Sequence, residues 1–194
     1  MRIRFDEDPV ALGNDFQTLT EIITVTTMAE LALAFARLEA AQRAGHWLAR
    51  YASYELGDLF EPRLCARLPT SRRLPLLQFG LYGPPQQTPR LGIYPVGKAS
   101  LSRFVPLWNQ ADYATAYQVV RGYIAAGDIY HANLTFSLRA VTATPSAVLY
   151  NALSQRQPVK FSAFIEQQGL PDILSRSPEL FFRPIQKAGY RADR

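Results

Sequence analysis

The chain predicts an α+β fold, with mostly antiparallel sheet and helices packed on it. Three observations lead there. Runs rich in β-branched and aromatic residues recur, at 19–27, 76–83 and 160–167. Between such runs lie stretches with apolar residues at helical spacing, opened by capping residues. The order mixes strands and helices, with hairpin signals and long connections, rather than the strict alternation of a doubly wound parallel sheet. No internal repeat is visible.

Taken in order, "LTEIITVTT" (19–27) reads as a strand. Thr27 and Glu30 have capping-box spacing and open a helix over 28–43. Leu31, Ala34, Phe35, Leu38 and Ala41 share one face of it, and Gly45 is its stop. "HWLARYASYELG" (46–57) alternates as a strand, "RLPTSRRLP" is a loop, and "LLQFGLYG" (76–83) is a further strand. Residues 84–95, with "PPQQTP", read as a surface excursion. Asn109 and Asp112 cap a second helix that ends at Gly127, with Tyr117, Val120, Tyr123 and Ile124 as its apolar stripe. A strand is expected over 132–143. Thr144 and Pro145 then open a helix through about Gln155. Residues 160–167 and 172–182 read as two strands joined by a turn at Gly169-Leu170-Pro171.

Composition narrows the function classes. The 194 residues are 48% hydrophobic, enough to core one large domain or two small lobes. The net charge is +5, but the basic residues are scattered and only Arg72 and Arg73 are adjacent, which argues against a nucleic-acid partner. Cys65 is the only cysteine, so neither an internal disulfide nor a cysteine-based metal site can form. The acidic start "MRIRFDEDPV" lacks the apolar core of a signal peptide, and no run approaches a membrane span. The expectation is a cytoplasmic protein with no membrane partner. No Gly-rich phosphate loop, metal-spaced His pair or nucleophile elbow is present.

Three stretches say more. "GDIYHANLTFSL" (127–138) puts turn residues and a histidine at the mouth of an apolar run. "SRSPELFF" (175–182) places Glu179 after Pro178. "YASYELG" (51–57) ends a strand on a charged rim. Each has a plain structural reading: a helix C-cap followed by a turn and strand, a strand kinked by proline, and a strand end. Together, and in this order, "GHWLARYASYELG", "PLLQFGLYG", "YIAAGDIYHANLT", "LYNAL" and "SPELFF" resemble the chorismate-utilising enzymes, closest to aminodeoxychorismate synthase component I. The resemblance spans residues 19 to 183. Anthranilate synthase component I shares "SPE" but less of the other motifs, and is the alternative. A non-catalytic module that keeps the fold for ligand or partner binding is a third reading.

The resemblance implies an incomplete anthranilate-synthase-like sandwich. Residues 1–108 would be the N-terminal lobe, 109–183 the start of the chorismate-binding core, and 184–194 a frameshifted or truncated non-native tail. It implies a cavity between two lobes, so that a chain cut short there would show open strand edges and exposed apolar faces. Glu179 matches the family's acid/base glutamate, which must protonate the ring hydroxyl of chorismate as it leaves. Apolar Leu180 and Phe181 beside it would favour the protonated form. Tyr130, His131, Asn133 and Ser177 fall at substrate-binding positions. At the position of His131 the isochorismate and salicylate synthases carry a lysine that activates water, and the ammonia-using members usually carry glutamine. His131 is therefore a departure, able to titrate near neutrality. The strand matching residues 2–8 helps to bind tryptophan in some members, but Arg4 and Phe5 stand where that strand is apolar. The implied partners are chorismate and a glutamine amidotransferase subunit. The implied cofactor is Mg²⁺, with ligands that this chain does not contain. The implied product is 4-amino-4-deoxychorismate, on the route to 4-aminobenzoate and folate, and this chain alone is expected to be inactive.

Overall fold

A computed structural model describes residues 1–7, 12–89 and 94–180. The chain divides into two units, residues 1–96 with 150–194 and residues 97–149. The first contains strands β1 (Arg2–Phe5), β2 (Gly13–Phe16) and β3 (Leu19–Val25), then helix α1 (Met28–Arg43) and strand β4 (Trp47–Ala52). A 3-10 helix (Tyr54–Phe60), a short helix α2 (Pro62–Cys65), and strands β5 (Leu77–Tyr82) and β6 (Gln86–Thr88) follow. The second contains β7 (Val105–Pro106), α3 (Gln110–Ala126) and β8 (Leu138–Arg139). Helix α4 (Ser146–Arg156) leads back to the first unit, which ends with β9 (Phe161–Glu166) and β10 (Ile173–Ser177). The α+β class stands, and every strand pairing in the described residues is antiparallel.

The larger unit holds a five-stranded sheet in the order β10-β9-β1-β2-β6 and a three-stranded sheet in the order β3-β5-β4. Helix α1 covers one face of the small sheet. Ile23, Val25, Leu77, Phe79 and Leu81 meet Leu31, Ala34, Leu38 and Ala41 there. Burial of each large apolar side chain in such a layer contributes about 1.5–3 kcal/mol. The other face meets the large sheet through Ile3, Phe16, Ala49, Tyr82 and Ile165. β5 is central and covered on both sides, so all six of its residues are buried. That is why "LLQFGLYG" reads as a continuous apolar run rather than an alternating one.

The start of α1 follows the sequence. The Glu30 carboxylate accepts from the backbone N–H groups of Thr26 (2.6 Å) and Thr27 (3.0 Å). These bonds, that from Thr26 above all, hold its pKa below the usual carboxylate value. Of the expected apolar face, Phe35 is the exception at 41% exposed.

Four expectations change in detail. The strand over 46–57 stops at Ala52, because Ser53 starts the 3-10 helix and accepts from the Leu56 N–H. The excursion at 84–95 contains β6, whose residues Gln86–Thr88 pair with Asp15–Gly13 along the free edge of β2; residues 90–93 lie outside the described residues. The strand over 132–143 shrinks to Leu138–Arg139. Around it hydroxyl groups take the place of a ladder: Ser102 Oγ accepts from Val141 N–H, and Thr142 and Thr144 hydroxyls bond Ser100. The strand over 172–182 ends at Ser177, since Pro178 has no N–H to donate. Phe181 and Phe182 lie outside the described residues, as does the tail at 184–194.

Gly80 marks a close approach. A Cβ there would lie 2.3 Å from the Tyr82 ring, which is fully buried against the large sheet and donates to the Met1 carbonyl oxygen at 3.3 Å. Gly80→Ala should therefore displace a packed ring and lower stability by about 1–3 kcal/mol. Urea unfolding measures it, and an unchanged midpoint would show that the ring has room to move.

Candidate functional site

The polar turn at 127–133 is built by the end of α3. That helix starts on Asn109, whose side chain accepts from Ala111 N–H (2.8 Å) and Asp112 N–H (3.0 Å), while Asp112 accepts from Asn109 N–H (3.1 Å). It stops at Gly127, which takes φ 80°, a conformation that a Cβ would strain. Gly127 N–H and Asp128 N–H bond the carbonyls of Ile124 and Tyr123, which closes the helix and turns the chain back. The returning segment lays Phe136 against the first turns of the helix. Phe136 stacks on Trp108 (6.2 Å) and meets Tyr113 edge-on (5.8 Å).

This geometry presents the turn outward. Tyr130 is 88% exposed, its ring 4.5 Å from that of His131. His131 and Asn133 are exposed as well. The stripe on α3 is largely bare: Tyr117, Tyr123 and Ile124 are exposed, Val120 is half-buried, and no residue of the helix is buried. Arg121 covers part of it, lying 6.0 Å from the Tyr117 ring.

Ser177 and Glu179 belong to the other unit, at the end of β10. Ser177 Oγ accepts from Glu179 N–H (3.3 Å) and donates to Glu179 O (2.9 Å), which forms a tight hydroxyl-closed turn around Pro178. Glu179 itself is exposed. The predicted residues thus fall into two groups, Tyr130, His131 and Asn133 in one unit and Ser177 and Glu179 in the other.

One residue before Ser177 begins a buried polar network that the motifs do not name. Asp6 sits at its centre. Its Oδ2 accepts from Tyr150 OH (2.8 Å) and Arg176 Nη1 (2.9 Å), and its Oδ1 from Arg4 Nε (3.2 Å). Arg176 also donates to Ser154 Oγ (2.8 Å) and to Gln157 O, and Arg4 to Thr88 Oγ1 and Pro89 O. Arg4, Asp6 and Tyr150 are 1–3% exposed. Aromatic rings close the cluster: Tyr150 stacks on Phe164 (5.0 Å), Tyr94 meets both, and the guanidinium groups of Arg4 and Arg176 lie over Tyr94 and Tyr150. Burial, reinforced by the Asp6 charge, pushes the Tyr150 phenol far above its usual range, so it stays a donor. The signal in the sequence is faint: Arg4 and Asp6 stand two apart, hence on one face of a strand, with opposite charge. At the neighbouring strand position, Arg2 pairs with Asp15 (2.5 Å). Burial alone would raise the Asp15 carboxyl, but the hydrogen bonds from Arg2 and Gln17 outweigh it and hold the pKa low.

Two comparisons bear on the motifs. The family model of the chorismate binding enzymes matches residues 93–187. The two findings support a chorismate-utilising family. The second is a curated relative, anthranilate synthase component 1 1 of Haloarcula marismortui, which is 38% identical over 72 residues. That alignment covers 37% of this chain and 14% of the relative, so the chain spans only a small part of that relative's length. No solved structure matches. Tyr130, His131, Asn133, Ser177 and Glu179 all lie inside the segment matched by the chorismate-binding family.

Among the described residues no group of three or more His, Cys, Asp or Glu is placed to hold a metal ion. No helix of the described residues is long and apolar enough to cross a membrane.

The Asp6 cluster makes a direct prediction. Asp6→Asn leaves two buried guanidinium groups without their shared carboxylate, and breaking a buried pair in this way typically costs about 3–5 kcal/mol. The denaturation midpoint should fall accordingly. A loss under about 1 kcal/mol would mean that water or another carboxylate takes over the charge.

Proposed function

We propose that residues 93–187 supply part of the chorismate site of a cytoplasmic enzyme that aminates chorismate to 4-amino-4-deoxychorismate. This is the chemistry of aminodeoxychorismate synthase component I. The observation that carries the reading is the family match over the very segment that holds "GDIYHANLT" and "SPE". On this reading Tyr130, His131 and Asn133 contact the substrate from the turn after α3, and Ser177 does so from the end of β10. Glu179 gives its proton to the ring hydroxyl as the C–O bond breaks, so that water leaves rather than hydroxide. Ammonia arrives from a glutamine amidotransferase partner, and Mg²⁺ neutralises the substrate carboxylate through ligands outside the described residues.

The exposure of Tyr130 and His131 bears on what the polypeptide does alone. Catalysis of this kind needs a site that excludes water. Residues 1–194 by themselves are expected to give no product from chorismate, ammonia and Mg²⁺. Turnover above a no-enzyme control would overturn that expectation.

A second reading, anthranilate synthase component I, is favoured by the 38% identity to the Haloarcula marismortui relative of that kind. Transplanting residues 93–187 into each enzyme separates the two. The chimera with aminodeoxychorismate synthase component I should relieve a 4-aminobenzoate requirement, and that with anthranilate synthase component I should not relieve a tryptophan requirement. The reverse pattern selects the second reading, and failure of both removes the segment from the chorismate site. In the working chimera, Glu179→Gln should lower kcat by about 10²–10⁴-fold and leave KM nearly unchanged. A kcat above half of the parent value would assign Glu179 to the solvent.

A further inference from the structure

The loop "RLPTSRRLP" (67–75) carries the adjacent arginines Arg72 and Arg73. It borders a cavity of about 290 Å³ in the larger unit, which Thr24 of β3, Thr26 just beyond it and Leu170 of the turn between β9 and β10 also line. That size is at the lower end of small-molecule sites. Alternation along β3 supplies the two threonines. Ile23 and Val25 pack under α1, so Thr24 and Thr26 fall on the other face.

Arg72 is built into the wall. Its Nη1 donates to Pro69 O (2.5 Å) and its Nη2 to Thr26 O (2.7 Å), which pins the loop to the end of β3. Both acceptors are neutral carbonyls. Its Nε is buried without a hydrogen-bond partner, and no carboxylate among the described residues pairs with the guanidinium. A half-buried cation held this way lacks a counter-charge. Arg73 is exposed and bonds nothing among the described residues. The hydroxyls of Thr24 and Thr70 have no partner there either. Glu30 is the acidic side chain bonded to this wall, and Thr26 and Thr27 hold its carboxylate at the start of α1. Two positive charges thus stand against one negative charge.

We propose that this cavity binds a phosphate group, as the free ion or as a small phosphate monoester. A tetrahedral oxyanion presents acceptors in several directions at once, which suits two guanidinium groups and two hydroxyls carried by separate segments. Arg72 is already oriented by its carbonyl bonds, so little of its side-chain freedom remains to be lost on binding. Leu74, Pro75 and Leu170 complete the lining and meet the carbon part of an ester. All of the polar lining precedes residue 93, so the proposal stands apart from the chorismate reading.

The test titrates the full chain, labelled with ¹⁵N, with sodium phosphate at constant ionic strength, sodium chloride making up the balance. The backbone N–H signals of Thr70, Ser71, Arg72 and Arg73 should shift saturably with phosphate and stay in place with chloride alone. A parallel titration with n-propyl phosphate separates the sources. Tighter binding of the ester identifies a monoester as the ligand, and equal or weaker binding identifies the free ion. Arg73→Gln should weaken binding at least about tenfold. Arg72→Lys should do the same, because an ammonium on a flexible stem does not reproduce the planar fork that spans both carbonyls and the ligand. Arg43→Gln removes the same charge at the far end of α1 and should leave binding as it was. No saturable shift at up to about 10 mM phosphate, shifts that chloride reproduces, an Arg73→Gln protein that binds as before, or an equal loss in Arg43→Gln would each overturn the proposal. Should Arg72→Lys fail to fold, Arg73→Gln decides, since Arg73 holds no other described part of the chain.

Discussion

The buried carboxylate of Asp6 is the constraint on which the larger unit depends. It joins the end of β1 to α4 through Tyr150 and to β10 through Arg176, and it shares Arg4 with β6 through Thr88. A charge taken out of water is tolerated only when its lone pairs are filled. Here three donors converge on one carboxylate, and aromatic faces cover the cations. Such an arrangement specifies geometry more than it adds stability, since a well-packed apolar substitute is often as stable. Its effect is to tie the N-terminal strand to the strand that carries Ser177 and leads to Glu179.

The sequence revealed most where one local rule acted alone. The range of α1 was readable from Thr27, Glu30 and the apolar spacing, and α3 from Asn109, Asp112 and Gly127. The hairpin of β9 and β10 followed from Gly169, which takes φ 76°. Legibility failed where a distant segment decided the outcome. β6 forms because β2 offers an open edge, which "PPQQTP" does not advertise. The expected strand over 132–143 pairs only at Leu138–Arg139, and next to it a serine hydroxyl takes the Val141 N–H. Arg4, Asp6 and Arg176 were unreadable as a cluster because their partners lie far away in sequence.

The motif residues show a further division. The turn after α3 and the turn around Pro178 are each determined locally, by a left-handed glycine and by a serine hydroxyl. Their orientation is thus set within each unit before any substrate is considered. The bare aromatic stripe on α3 stands in contrast, because nothing among the described residues of that helix is buried. A turn fixed by its own hydrogen bonds beside an uncovered apolar face is well suited to a surface completed by something else, which is how the proposed chorismate site uses it.

The pairing of β1 with β9 has a consequence for synthesis on the ribosome. Arg176 and Asp6 are 170 residues apart, so β1 leaves the ribosome well before β9 and β10. At about 5–20 residues per second, the strand waits roughly 10–30 s for the chain that completes its sheet. Until then the outer edge of β1 is unpaired, and a guanidinium and a carboxylate that end up dry are still hydrated. The arrival of β9 and β10 triggers the loss of that water. Closure of the sheet is therefore a late event in the life of the nascent chain, whatever order the purified protein follows when it refolds.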